Sequence, residues 1–159
     1  PRLRALRPLG GGDRHRRGGD KIVLKPQIIG NVGLYYTCYR LSLMGWNVMP
    51  TSRNARGIDI IAYDADATSF VGVQVKTLSK KDPVPIGSKL DNVMGDFWVI
   101  VNNVVKEPNA FVLLPSEVKD MAHRGEKDGR ISYWLQRISY DRDEFREAWD
   151  RIGDCRRSI

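Results

Sequence analysis

The stretch that most constrains this chain is GIDIIAYDADATSFVGVQVK, residues 57–76. Two runs rich in β-branched residues flank a polar segment from Asp64 to Ser69, which is the pattern of a β-hairpin. Period two over Phe70–Lys76 puts Val71, Val73 and Val75 on one face, with Phe70, Gly72, Gln74 and Lys76 on the other. Asp59 sits mid-run beside Ile58, Ile60 and Ile61, where a charge is costly unless something uses it. A turn at Asp66-Ala67 sets Asp59 opposite Gln74, with Cβ atoms about 5 Å apart. A carboxylate, a carboxamide and an ammonium are therefore expected to converge at Asp59, Gln74 and Lys76. The plain alternatives are the wet face of an antiparallel hairpin and a structural ion pair.

The 159 residues fit one domain with room for a core, and a 42% hydrophobic content with four tryptophans makes that domain globular. No run of 18 apolar residues is present, so no membrane span is expected. The Arg-rich start lacks an apolar signal region. Cys38 and Cys155 are read as free thiols of a reducing, cytoplasmic compartment. They share no ligand spacing with His15 and His123, which leaves a zinc site unsupported. Of the net charge of +7, most sits in residues 1–27, with eight Lys/Arg against two Asp. The other 132 residues carry 18 basic and 17 acidic groups and are nearly neutral. Global charge is thus weak evidence for a nucleic-acid partner. Residues 1–27 read as a flexible basic arm, either a phosphate-binding tail or a segment without a role, 28–153 as the folded domain and 154–159 as a short tail.

Along the domain, Gly30–Gly45 predicts a helix with Asn31 as N-cap and Gly45 as the residue that ends it. Val32, Tyr35, Tyr36, Tyr39 and Leu43 form its apolar stripe, widened by Leu34, Cys38 and Leu41, with the tyrosines expected to pack in the core or at its rim rather than form a binding box. Trp46–Thr51 reads as a strand, and Ser52–Arg56 as a polar connection. Thr77–Gly87 reads as a Pro-broken loop and Ser88–Gly95 as room for one short helix. Phe97–Val101 and Ala110–Pro115 are continuous apolar runs expected as buried strands. Ser116 is placed as the cap of a helix reaching about His123, followed by a polar loop to Gly129 and a strand over Ile131–Leu135. Asp141 and Glu144 suggest a capping box for a C-terminal helix carrying Phe145, Ala148, Trp149 and Ile152. The order is helix, three strands, loop, two strands, helix, strand, helix, an α/β (α+β) domain around a mixed sheet.

A helix and strand followed by Gly-Ile-Asp on one strand and Gln-Val-Lys on the next resembles the PD-(D/E)XK nuclease superfamily. The likeness runs from Gly30 to about His123 and is strongest to its small stand-alone bacterial members. It implies the restriction-endonuclease-like αβββαβ core, a mixed sheet flanked by helices, followed here by the C-terminal helix. It also implies Mg²⁺ (or Mn²⁺) as cofactor, DNA as partner and endonucleolytic phosphodiester hydrolysis, with a homodimer among the assemblies it admits. Asp59 stands at the family's metal-binding aspartate, Gln74 at the acid of (D/E)-x-K and Lys76 at its lysine. The metal ligands implied are Asp59, Gln74 and the Val75 carbonyl, and Lys76 is implied to orient the attacking water. Arg53, Arg56, Lys80, Lys81 and Lys89 flank this centre as phosphate-positioning candidates, against the plain reading of solvated loops.

Two departures qualify the resemblance. Gln74 replaces a carboxylate, and the glutamate that many members carry on the first helix would stand near Leu34. No acidic residue occurs between Asp20 and Asp59. Substrate phosphate, a carboxylate swung in from Asp91 or Asp96, or loss of catalysis are the three ways to reconcile this. The second function class is therefore a catalytically degenerate nucleic-acid-binding module on the same fold. A third, a protein-interaction module built on Tyr133, Trp134, Tyr140, Phe145 and Trp149, ranks last because aromatics at such spacing usually pack the core.

Overall fold

The computed structural model describes residues 23–51 and 57–155. Helix α1 spans Pro26–Leu43, starting on a proline whose missing N–H costs nothing at a helix N-terminus. It begins four residues earlier than expected, inside the presumed arm, with Lys25 at the N-cap position and Asn31 in its interior. Gly45 ends it with φ +86°, as the sequence indicated. Arm residues 1–22 and tail residues 156–159 lie outside the described residues. Cys155, assigned to the tail, instead donates its N–H to the Met44 carbonyl (2.9 Å) and packs on the core.

Strands β1 (Asn47–Pro50), β2 (Ile60–Tyr63), β3 (Phe70–Thr77), β5 (Phe97–Asn102) and β6 (Asn109–Leu113) form a mixed sheet in the order β1-β2-β3-β5-β6. Only β3 and β5 run parallel. Parallel neighbours require a crossover, and residues 78–96 supply it with β4 (Val84–Gly87) and a 3-10 turn at Leu90–Asn92. The loop expected over Thr77–Gly87 thus contains a strand. β4 joins β8 (Arg130–Leu135) and β7 (His123–Lys127) in a second sheet, order β4-β8-β7. β7 occupies what the sequence suggested was a polar loop. Helix α2 covers Pro115–Asp120, with Leu114 rather than Ser116 at the N-cap position.

β5 is central and covered on both sides, as its apolar run predicted. Val99 and Val101 join Ile60, Ala62, Val73 and Leu41 in one core cluster beneath α1. Trp98 and Ile100 join Phe111, Leu113, Val84, Ile86 and Leu135 in a second cluster beneath the small sheet. The face of α1 that reaches the sheet is Gly33, Thr37, Cys38 and Leu41. Of the expected stripe, Cys38 and Leu41 are in the core, whereas Tyr35, Tyr39 and Leu43 are exposed. Close approach decides this: a Cβ on Gly33 would lie 2.8 Å from Thr77 Cβ and on top of Thr77 Oγ1. The large side chains are displaced from the contact because backbone proximity demands the small ones.

The C-terminal segment is not the expected helix. It holds α3 (Arg137–Tyr140) and a 3-10 turn at Trp149–Ile152. Between them the backbone bonds outward to the edge of the main sheet: Val112 N–H donates to Phe145 O (2.9 Å) and Glu147 N–H to Ala110 O (2.8 Å). Asp141 takes Arg137 (3.0 Å) and Arg146 instead of capping a helix. Covering the open edge of β6 outweighs local helix propensity. Tyr140, Phe145 and Trp149 are buried in these contacts, in line with their reading as core. No described helix is long and apolar enough to cross a membrane.

The Gly33–Thr77 contact sets a test. Gly33→Ala is expected to lower stability by about 1–3 kcal/mol through overpacking. Thr77→Ala in the same chain should recover part of that loss, read by urea denaturation.

Candidate metal and phosphate site

The β2–β3 hairpin follows the expected register. Its ladder pairs Ile60 with Val73, Ile61 with Gly72, Ala62 with Val71 and Tyr63 with Phe70. The turn is fastened by Asp64, whose carboxylate accepts from Thr68 N–H (2.7 Å), Thr68 Oγ1 (2.8 Å) and Ser69 N–H (3.1 Å). Asp59 is not mid-strand. It lies one residue before β2, and its N–H donates to the Val73 carbonyl (2.9 Å). From there its side chain reaches along β3, and Oδ2 accepts the Val75 N–H at 2.7 Å. Ending β2 at Ile60 leaves that N–H without a ladder partner, and the aspartate supplies one.

Asp59 and Lys76 are both half-buried and sense each other's charge. Burial pushes the Asp59 carboxyl above its ordinary value, against the pull of the Val75 N–H and the Lys76 ammonium. Burial likewise pushes the Lys76 ammonium below its ordinary value, and Asp59 pulls it back. Each charge is costly without a partner, the state expected of groups that meet a charged ligand. Lys76 Nζ lies 5.4 Å from the centroid of the Trp98 ring, over its face.

Gln74 is positioned differently from a free ligand. Its side chain is 5% exposed. Oε1 accepts from Met94 N–H (3.0 Å) and from the Trp98 indole N–H, and Nε2 donates to the Asn92 carbonyl (3.1 Å). Both lone pairs of the oxygen are engaged. Gln74 therefore fixes the crossover loop onto the sheet, and a metal at this oxygen requires the Met94 or the Trp98 bond to open. Trp98, read from the sequence only as a buried strand residue, links the two site residues. It stands beside Gln74 in the parallel register, and that register was not visible in a strand-by-strand reading.

The remaining candidates separate. Arg53 and Arg56 lie outside the described residues. Lys80, Lys81 and Lys89 are exposed on the crossover. Lys80 and Lys81 follow the end of β3, where the Lys80 carbonyl accepts Asn103 N–H (3.4 Å). Lys89 precedes the 3-10 turn beside Gln74. Asp96 is pinned to β3, its Oδ2 accepting Gly72 N–H (2.7 Å) and its own N–H donating to Gly72 O (2.7 Å). Gly95 makes this approach possible, because at φ +84° its Cβ would stand 2.7 Å from the Gly72 carbonyl. Asp91 is exposed on the turn. Leu34 packs on the first core cluster. Among the described residues no three acidic, His or Cys groups cluster as a metal site. The chemistry present would suit a hard cation bound through oxygen, with Asp59 Oδ1, for which no hydrogen bond is found among the described residues, as the donor the structure leaves open.

Gln74 yields a test of its own. Gln74→Glu keeps the acceptor for Met94 and Trp98 but sets an anion against the Asn92 carbonyl. It is expected to cost about 1–3 kcal/mol at pH 8. The loss should shrink in acid, where a protonated carboxyl again donates to Asn92. Denaturation at both pH values reads this.

No protein-family model and no curated protein sequence matches the chain. Among solved structures, a bacterial homing endonuclease superimposes with a TM-score of 0.52 at 19% identity, over 80% of this chain and 93% of that one. A Holliday junction resolvase from the archaeal hyperthermophile Archaeoglobus fulgidus superimposes more loosely, with a TM-score of 0.44 at 12% identity, over 67% of this chain and 90% of that one. The architecture, a mixed sheet with α1 on one face and a small sheet on the other, is that of a restriction-endonuclease-like α/β fold.

Proposed function

We propose that this chain is a Mg²⁺- or Mn²⁺-dependent DNA endonuclease that hydrolyses phosphodiester bonds at Asp59 and Lys76. The observation that carries this reading is their joint placement at the β2–β3 hairpin, Asp59 just before β2 and Lys76 on β3: a half-buried carboxylate and a half-buried ammonium in mutual electrostatic range, on a fold shared with a homing endonuclease. Asp59 Oδ1 and the Val75 carbonyl would hold the cation, which when bound would polarise the phosphate and lower the pKa of an attacking water. The Val75 N–H bond keeps Asp59 Oδ2 turned to the strand, which would leave Oδ1 to meet the cation. Lys76, held over Trp98, orients the water and offsets the charge that grows on the phosphate oxygens. With one carboxylate in the site, substrate phosphate would supply the further oxygen ligands of the cation. Gln74 serves here by fixing the loop that walls the site. The lysines at 80, 81 and 89, with Arg53 and Arg56, serve as phosphate contacts, and the protein acts in the cytoplasm.

The activity test uses plasmid, nicked, branched and single-stranded DNA with Mg²⁺ or Mn²⁺. Lys76→Ala and Asp59→Asn should each reduce cleavage by at least about 10²-fold. Wild-type protein indistinguishable from Lys76→Ala on every substrate would reject catalysis. The single carboxylate and the engaged Gln74 oxygen favour a second reading, a degenerate DNA-binding module. It requires salt-sensitive binding without a metal requirement, and metal-stimulated cleavage lost in Asp59→Asn would rule it out.

Stability provides a separate check. A carboxyl whose folded pKa is raised favours the fold in its protonated form, so that contribution is present in acid and lost as pH rises through the folded value. Asp59→Asn, which can still accept the Val75 N–H, is expected to be more stable than wild type at pH 7 without metal. The gap should close as pH falls below the ordinary carboxylate range. Adding Mg²⁺ should stabilise wild type and leave Asp59→Asn unchanged, read by thermal melting.

A further inference from the structure

The hairpin β7–β8 projects beyond both cores. Its two-residue turn, Asp128-Gly129, has φ of +51° and +71°, the left-handed pair that suits a tight hairpin. Residues 126–132 are all exposed. Two-stranded ribbons gain little stability by themselves, so a long exposed one calls for a use. The register pairs His123 with Trp134, Gly125 with Ser132 and Lys127 with Arg130 on one face, and Arg124 with Tyr133 and Glu126 with Ile131 on the other.

The two faces differ in charge. Leu135 is fully buried in the second core and Tyr133 packs against it, so the face of Tyr133 looks inward. There Arg124 is neutralised by Glu126 at 2.9 Å. The outward face holds His123, Lys127, Arg130, Ser132 and Trp134 and no acid, and Asp128 stands in the turn. Trp134 lies across Gly125, where a Cβ would meet its ring at 2.8 Å, and His123 packs on the same ring at 6.2 Å. Lys127 and Arg130 oppose each other directly, and among the described residues neither forms an ion pair. Like charges at opposed positions destabilise a ribbon, and a polyanion lying along it removes that cost.

The ribbon is also mounted on the site. β8 pairs with β4, Ile86 of β4 accepts from Asn92 Nδ2 (3.4 Å), and the Asn92 carbonyl takes Gln74 Nε2. We propose that the outward face of β7–β8 is a docking surface for the phosphate backbone of duplex DNA, with Lys127 and Arg130 as its cationic contacts. The proposal rests on the endonuclease reading for its substrate. A two-stranded ribbon matches the width of the major groove, and the cations at its tip meet the phosphates that border it.

The experiment measures binding of a labelled mixed-sequence duplex in EDTA across a salt series, for wild type, Lys127→Ala/Arg130→Ala and, as control, Lys106→Ala, an exposed lysine in the turn joining β5 to β6. Each lost phosphate contact removes about 0.9 from the slope of log K against log salt. The double variant should therefore bind at least about tenfold more weakly near 0.1 M salt, with a slope shallower by about 2. Lys106→Ala should match wild type. Thermal melts verify folding, which these exposed substitutions leave intact. Unchanged affinity and slope in the double variant, or an equal loss in the control, overturns the ribbon assignment while the endonuclease reading stands. Wild-type protein that binds no duplex, or only single strands, overturns the assignment as well. Metal-dependent cleavage, assayed in parallel, then decides whether the endonuclease reading falls with it.

Discussion

The buried carboxamide of Gln74 holds three parts of this protein together. It stands on β3, takes the indole N–H of Trp98 on β5, and clamps the crossover loop through Met94 and Asn92. A side chain here must donate one bond and accept two, and among the natural residues a carboxamide suits that demand best. Left unsatisfied, each of these buried polar groups would cost about 1–3 kcal/mol. The glutamine that looks like a weakened metal ligand is thus explained by packing and hydrogen bonding. The loop it holds in turn carries β4, and β4 carries the small sheet.

The same arrangement sets the electrostatics beside it. Trp98 cannot leave Gln74 without losing its indole bond, so its ring stays beneath Lys76. Asp59 lies just past the end of the β2 ladder and completes the hydrogen bonding of β3 with its side chain. Two charges are held partly out of water without a short ion pair between them, a cost to the free protein that a bound cation and phosphate would offset.

Much of the fold was legible because it follows from local pattern. The hairpin register came from the spacing between Asp59 and Gln74 around an Asp-rich turn, and β5 came from an uninterrupted apolar run. The misreadings have a common cause. The stripe on α1 correctly takes in Cys38 and Leu41, but Tyr35, Tyr39 and Leu43 turn out exposed because α1 packs closest through Gly33, against Thr77. The capping signals at Asp141 and Glu144 are real helix propensities, yet residues 145–147 bond to the edge of β6. Long-range backbone partners override local preference where a sheet edge is open.

The sequence by itself determined which residues could do chemistry: a lone aspartate in an apolar strand segment, and a lysine two residues past a glutamine on the next. It also determined that no second carboxylate comes from the first helix, because none is encoded there. Only the tertiary structure decided what each group is free to do. The parallel pairing of β3 with β5 engages Gln74 with Trp98, and the start of β2 at Ile60 gives Asp59 the Val75 N–H to accept. The crossover through β4 sets a cationic ribbon on the same support as the site. Both depend on contacts between residues distant in the chain, which no local periodicity encodes.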